Sequence, residues 1–161
     1  MMTTDDRSEA RPGQPYAGSA VQKAALAAGV VFLLVGVAGF VPGLTHGLEH
    51  LQPLGHGSEA YLLGLFQVSV LHNAVHLLFG VVGVVSAIRP AASRHYLLWG
   101  GVVYLALWVY GLFLAGREGD VVPLNAADNV LHLVLAVLMI LSALLIGRRG
   151  RPRATGVRAL D

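Results

Sequence analysis

Charged residues of this chain fall almost entirely between four long apolar runs, at about residues 24–41, 62–88, 96–115 and 127–146. A helix crosses a bilayer core with about 20 mainly apolar residues, so the runs are of spanning length, and they take up most of the 161 residues. They are continuously apolar rather than alternating at period two, which makes the strands of a membrane β-barrel a poor alternative. Composition agrees, with 55% of residues hydrophobic and 12% charged, against roughly a quarter charged in an average soluble domain. The expected fold is all-α, an integral-membrane four-helix bundle.

The flanks of the runs set the organisation. Lys23 precedes the first and Pro42-Gly43 closes it; Arg89-Pro90 stops the second, and Gly147-Arg148-Arg149 ends the fourth. Residues 1–18 read as a disordered cytoplasmic leader, 19–147 as the transmembrane domain and 148–161 as a basic cytoplasmic tail. Asp5, Asp6 and Glu9 mix with Arg7 and Arg11 ahead of the first run, and no small-x-small cleavage site follows it, so it reads as a span and not a signal peptide. Ten of the eleven Lys and Arg lie in the leader, between runs two and three, or in the tail; the other two loops hold only Arg117. The positive-inside rule therefore places both termini in the cytoplasm. Ten Arg against one Lys, with 20 Gly, fits GC-rich bacterial coding and hence a bacterial plasma membrane. The Arg-rich tail suits anionic lipid headgroups and calls for no nucleic acid.

Several chemistries lack their residues. The chain has no Cys, which removes disulfides, thiolate metal sites, iron–sulfur clusters and a cysteine nucleophile. It has no phosphate-binding loop, no Gly-x-Ser-x-Gly elbow and no pair of carboxylates inside a run.

The runs also resemble one another in pairs. Gly29-Val-Val-Phe-Leu33 matches Gly101-Val-Val-Tyr-Leu105 at an offset of 72, which also aligns Gly39 with Gly111. Asn73-Ala-Val-His-Leu77 parallels Asn129-Val-Leu-His-Leu133 at an offset of 56. Both pairs start from the same side, so the chain reads as two parallel helical-hairpin repeats, which would bring spans two and four to equivalent positions.

Those two spans carry the polar cluster: Gln67, His72, Asn73 and His76 on one, Asp128, Asn129 and His132 on the other. His72 and His76 share a helix face at i and i+4. Counting back from Arg89 and Arg148, His76 and His132 lie roughly 20 and 24 Å from the cytoplasmic charges, both in the outer half of a core about 30 Å thick. Ionisable groups at that depth face protein or water. Two roles make the same demand on residue type. The cluster can hydrogen-bond helix to helix in a non-enzymatic subunit with a membrane-protein or homo-oligomeric partner. It can also hold a ligand: non-covalent haem or quinone with His76 and His132 as best candidates, or protons in a small carrier using His72, His76 and Asp128. His72-x-x-x-His76 has the spacing of a zinc-protease helix but Asn73 where that motif needs Glu, so a metal would need His132 or a carboxylate such as Asp128 to complete its shell, and the sequence alone assigns none.

The outer loop 42–61 adds His46, Glu49, His50, His56 and Glu59, read as a solvated loop, and 117–120 reads as a solvated turn. Gly39-xxx-Gly43, Gly83-xxx-Ala87 and Gly111-xxx-Ala115 allow close helix approach. Tyr61, Tyr96 and Trp99 read as interfacial aromatics.

The segment Leu65-Phe-Gln-Val-Ser-Val-Leu-His-Asn-Ala-Val-His-Leu-Leu-Phe-Gly80, with Ala127-Asp-Asn-Val-Leu-His132, resembles the uncharacterised bacterial integral-membrane family called domain of unknown function 4383. The resemblance covers about residues 21–149 and implies a small four-helix inner-membrane protein, with no catalytic residue to carry over.

Overall fold

The computed structural model describes residues 15–117 and 120–146; the expected basic tail at 148–161 and most of the expected leader lie outside them. The described residues form four α-helices: α1 (Ala20–Ala38), α2 (Val70–Ser86), α3 (Pro90–Leu114) and α4 (Ala126–Leu141), the last running on through a π-helical turn, Ser142–Ile146. Their starts follow from local chemistry. Ser19 caps α1 and Gln22 closes the capping box, Ser69 caps α2, and Asn125 and Asp128 form the box that opens α4. Pro90 stands at the first turn of α3, where its missing N–H costs nothing, and Ser93 donates to the Ser86 carbonyl just before it. This is why α3 begins ahead of the expected residue 96. α1, α3 and α4 with its π turn are long and apolar enough to cross a membrane.

The second run departs from expectation. Its helix begins at Val70, and the residues before it form strands β2 (Ala60–Leu62) and β3 (Phe66–Val68), which pair with β1 (Thr45–His46) in an antiparallel sheet of order β1-β2-β3. The fold is thus mainly, not wholly, α-helical. Leu63 and Gly64 both adopt positive φ, 54° and 69°, and this reverses the chain inside the apolar run. The sheet buries Ala60, Leu62 and Val68 against Val35 and Ala38 at the end of α1. It closes one end of the bundle, and the outer loop expected to be solvated contributes a strand and a 3-10 turn (Leu48–His50) to it.

α1 packs chiefly on α2, and α3 on α4. Small residues make this close. A methyl at Gly29 would meet the backbone of Gly80, Gly83 and Val84, and one at Gly101 would meet Ala136 and Ile140. Gly39 faces the Asn73 carboxamide as Gly111 faces that of Asn129. Gln22 donates to the Ala87 carbonyl at 2.8 Å, and Arg94 donates to that of Ala143 at 3.3 Å. Every one of these pairs maps onto its counterpart by the offsets of 72 and 56 seen in the sequence. A methyl at Gly43, by contrast, would meet nothing within 4 Å, so the Gly39-xxx-Gly43 match is not a packing motif. Tyr96 is buried against Gly83 rather than interfacial, while Trp99 is exposed on the bundle surface.

Candidate functional site

The two hairpins meet through aromatic rings. Phe32 of α1 and Tyr104 of α3 stack at 5.3 Å with an interplanar angle of 13°. Each also lies against the histidine of its own hairpin: Phe32 on His76 at 5.8 Å, Tyr104 edge-on to His132 at 5.1 Å. Above this layer, towards the sheet, a cavity of about 140 Å³ is lined by His72, His76, Asp128 and His132, with Phe32, Leu135 and the cap residues Leu62, Phe66 and Val68 among its walls.

Three histidines converge there. The ring centroids of His72 and His76 are 4.6 Å apart and those of His72 and His132 6.0 Å. One nitrogen from each of the three lies within 4.8 Å of the others. All three residues are buried, and the Nδ1 atom of each has no hydrogen-bond partner among the described residues. A buried polar atom left unpaired costs about 1–3 kcal/mol, so the trio is an expensive arrangement unless something occupies it.

Asp128 is anchored instead. Its Oδ2 accepts the backbone N–H of Gln67 at 3.0 Å and that of Asn125 at 3.0 Å, tying β3 to the start of α4. Asp128→Ala strands two N–H groups that bond a carboxylate, and it is expected to destabilise the protein by about 2 kcal/mol. Asp128→Asn keeps an acceptor oxygen, so thermal melts in detergent should rank it between wild type and Asp128→Ala; equal melts for all three would show the anchor to be idle.

The other expected cluster members lie elsewhere. Gln67 sits on β3, not on a helix, and its side chain donates to the carbonyls of His56 and Ser58 in the cap. Asn73 and Asn129 point into the seams of their own hairpins, against Gly39 and Gly111, and do not join α2 to α4. Hydrogen bonds at the start of α4 run instead to the cap: the Gln67 N–H donates to Asp128, and Asn125 donates to the Leu65 carbonyl. His46, Glu49, His50, His56 and Glu59 are exposed on the cap, away from the buried trio; among them Glu49 and His50 approach to 3.7 Å. The turn expected to be solvated at 117–120 ends in a buried Asp120, which accepts from Tyr110 Oη at 2.8 Å and from the Gly116 N–H at 2.9 Å.

Sequence reasoning did not assign Phe32 and Tyr104 to the site. The repeat held the signal, because the 72-residue offset aligns the two rings just as the 56-residue offset aligns His76 with His132.

Long apolar helices that turn their ionisable side chains inward define a membrane-embedded protein. The family described as domain of unknown function (DUF4383) matches residues 22–145, and the chain belongs to it. None of the curated proteins and none of the solved structures matches the chain.

Proposed function

We propose that the protein is a non-enzymatic, multi-pass subunit of the bacterial plasma membrane, a four-helix bundle of two parallel hairpins that holds a small ligand in its histidine chamber. The convergence of three buried histidines with unpartnered nitrogens on one cavity carries this reading. Helix-to-helix bonding by the histidines is less well supported, since the bonds joining α4 to the second hairpin strand use Asp128 and Asn125. Size favours a small occupant: the cavity of about 140 Å³ lies below the roughly 300–1,000 Å³ of organic-ligand pockets, so haem and quinone fit poorly and a purified sample should show no Soret band.

Orientation follows from charge. Lys23, Arg89 and Arg94 cluster at the end where Gln22 meets Ala87 and Arg94 meets Ala143, and the β cap closes the other. The positive-inside rule makes the first end cytoplasmic and turns the cap outward.

The test compares wild type with His76→Leu and His132→Leu, as gently extracted and after exhaustive stripping by detergent wash and chelator. A ligand that binds only the folded state adds stability by mass action, so wild type should melt higher as extracted. After stripping, the variants should match it within about 1 kcal/mol, because an unpaired polar group replaced by an apolar one loses little. Variants that melt well below wild type even when stripped would make the histidines structural and end this reading.

A further inference from the structure

We propose that His72, His76 and His132 bind one divalent transition-metal ion of the zinc class, with the Asp128 carboxylate in the same chamber supplying compensating charge. The inference rests on the chamber being a ligand site and names its occupant.

The donor set selects the class of ion. Three imidazoles suit zinc, copper, iron or nickel, whereas magnesium and calcium take mainly oxygen ligands. Geometry agrees. Around a four-coordinate zinc, with Zn–N near 2.0–2.1 Å, ligand nitrogens stand about 3.4 Å apart; here the three nitrogens already lie within 4.8 Å of one another. Two of the ligands are one turn apart on α2 and the third is on α4, so they come from regular structure and not from loops. The rings are also braced. Phe32 stacks on His76, Tyr104 packs on His132, and the backbone of Gln67 and Pro123 lies beside His72. Packing of this kind restricts the rotamers open to each imidazole.

The repeat supplies an independent argument. The 56-residue offset places His76 on His132 and His72 on Asp128, so each hairpin brings a two-residue element, His-x-x-x-His or Asp-x-x-x-His, to the same cavity. All four positions hold metal-ligating residue types. Three histidine ligands would leave a coordination position for water or an exchangeable group, as in open zinc sites, with Asp128 held beside it.

The experiment uses the full chain in mild detergent, stripped with chelator and titrated with zinc or with cobalt(II) as the spectroscopic probe. One ion per chain is expected, with cobalt giving the intense visible absorption of tetrahedral coordination. His76→Leu and His132→Leu should each weaken binding at least 100-fold, and Asp128→Asn about 10-fold. The cap variant His46→Asn/His50→Asn/His56→Asn should bind as wild type does. X-ray absorption at the zinc edge of the wild-type protein, which depends on no variant's folding, should show three imidazoles. An oxygen-only shell, binding lost in the cap variant, or no uptake of either ion would overturn the metal. If zinc fails to bind while stripped His76→Leu melts like stripped wild type, the metal falls and the ligand chamber stands. If stripped His76→Leu melts well below wild type, the chamber falls as well.

Discussion

Replacing Gly29 with Ala should lower the stability of the protein, although the same change in an open helix raises it. In an exposed helix Ala is favoured over Gly by about 1 kcal/mol. At Gly29 the added methyl would lie 2.6 Å from the Val84 nitrogen and 2.9 Å from both the Gly80 oxygen and the Gly83 carbonyl carbon. All three are backbone atoms, so no side-chain rotation relieves the overlap and the helices must part. Overpacking costs about 1–3 kcal/mol and occasionally more, and parting α1 from α2 also forfeits the van der Waals contacts that hold helices together in lipid. The net loss for Gly29→Ala is about 2 kcal/mol, and Gly29→Val should leave little folded protein. Gly101→Ala should be milder. Its methyl meets backbone atoms at 3.0 and 3.1 Å and, at 2.6 Å, the Ile140 side chain, which can turn. Denaturation in mixed micelles would give the order wild type, Gly101→Ala, Gly29→Ala; a Gly29→Ala protein as stable as wild type would mean that α1 and α2 do not cross this closely.

The crossing explains much of what was legible beforehand. A glycine at matched positions of two spans is readable from sequence, and so are helix limits set by Ser, Asn, Pro and Arg, because these depend on neighbours along the chain. The sheet was not readable in the same way. Residues 60–68 are as apolar as a helix, and a short apolar run does not distinguish strand from helix by periodicity; the turn rests on positive φ at Leu63, a residue that seldom adopts it. A common level was readable, since His76 and His132 converge on one cavity. Direction was less so. Asn73 follows His72 by one residue and so points about 100° away around the helix, into the α1 seam; Asn129 does the same on α4. Sequence spacing places polar groups at a level, but the packing partner of each face comes only from tertiary structure.

The Phe32–Tyr104 stack is where stability and the site meet, and Phe32→Ala should harm both. Phe32 is 3% exposed and Tyr104 2%, and their rings join one hairpin to the other. Truncating a buried Phe to Ala costs about 3–5 kcal/mol in protein cores. In lipid the transfer part of that cost shrinks while the packing part stays, so about 3 kcal/mol is expected for Phe32→Ala. Tyr104→Ala should cost a similar amount, because Tyr104 occupies the equivalent place in the second hairpin. The double variant should lose less than the two single losses together, by the 0.5–1.5 kcal/mol typical of an aromatic pair. Strict additivity would mean that the rings do not touch. The same truncation frees the His76 ring on one side, and Tyr104→Ala frees His132. Each histidine then regains rotamers that binding must remove, so cobalt affinity should fall roughly 10-fold in either variant, as for loss of an outer-shell contact. Phe32→Leu keeps much of the apolar bulk without the stack and separates the two effects: if packing alone matters it restores most of the stability and affinity together, whereas a specific role for the ring on His76 leaves affinity low in a protein that melts near wild type.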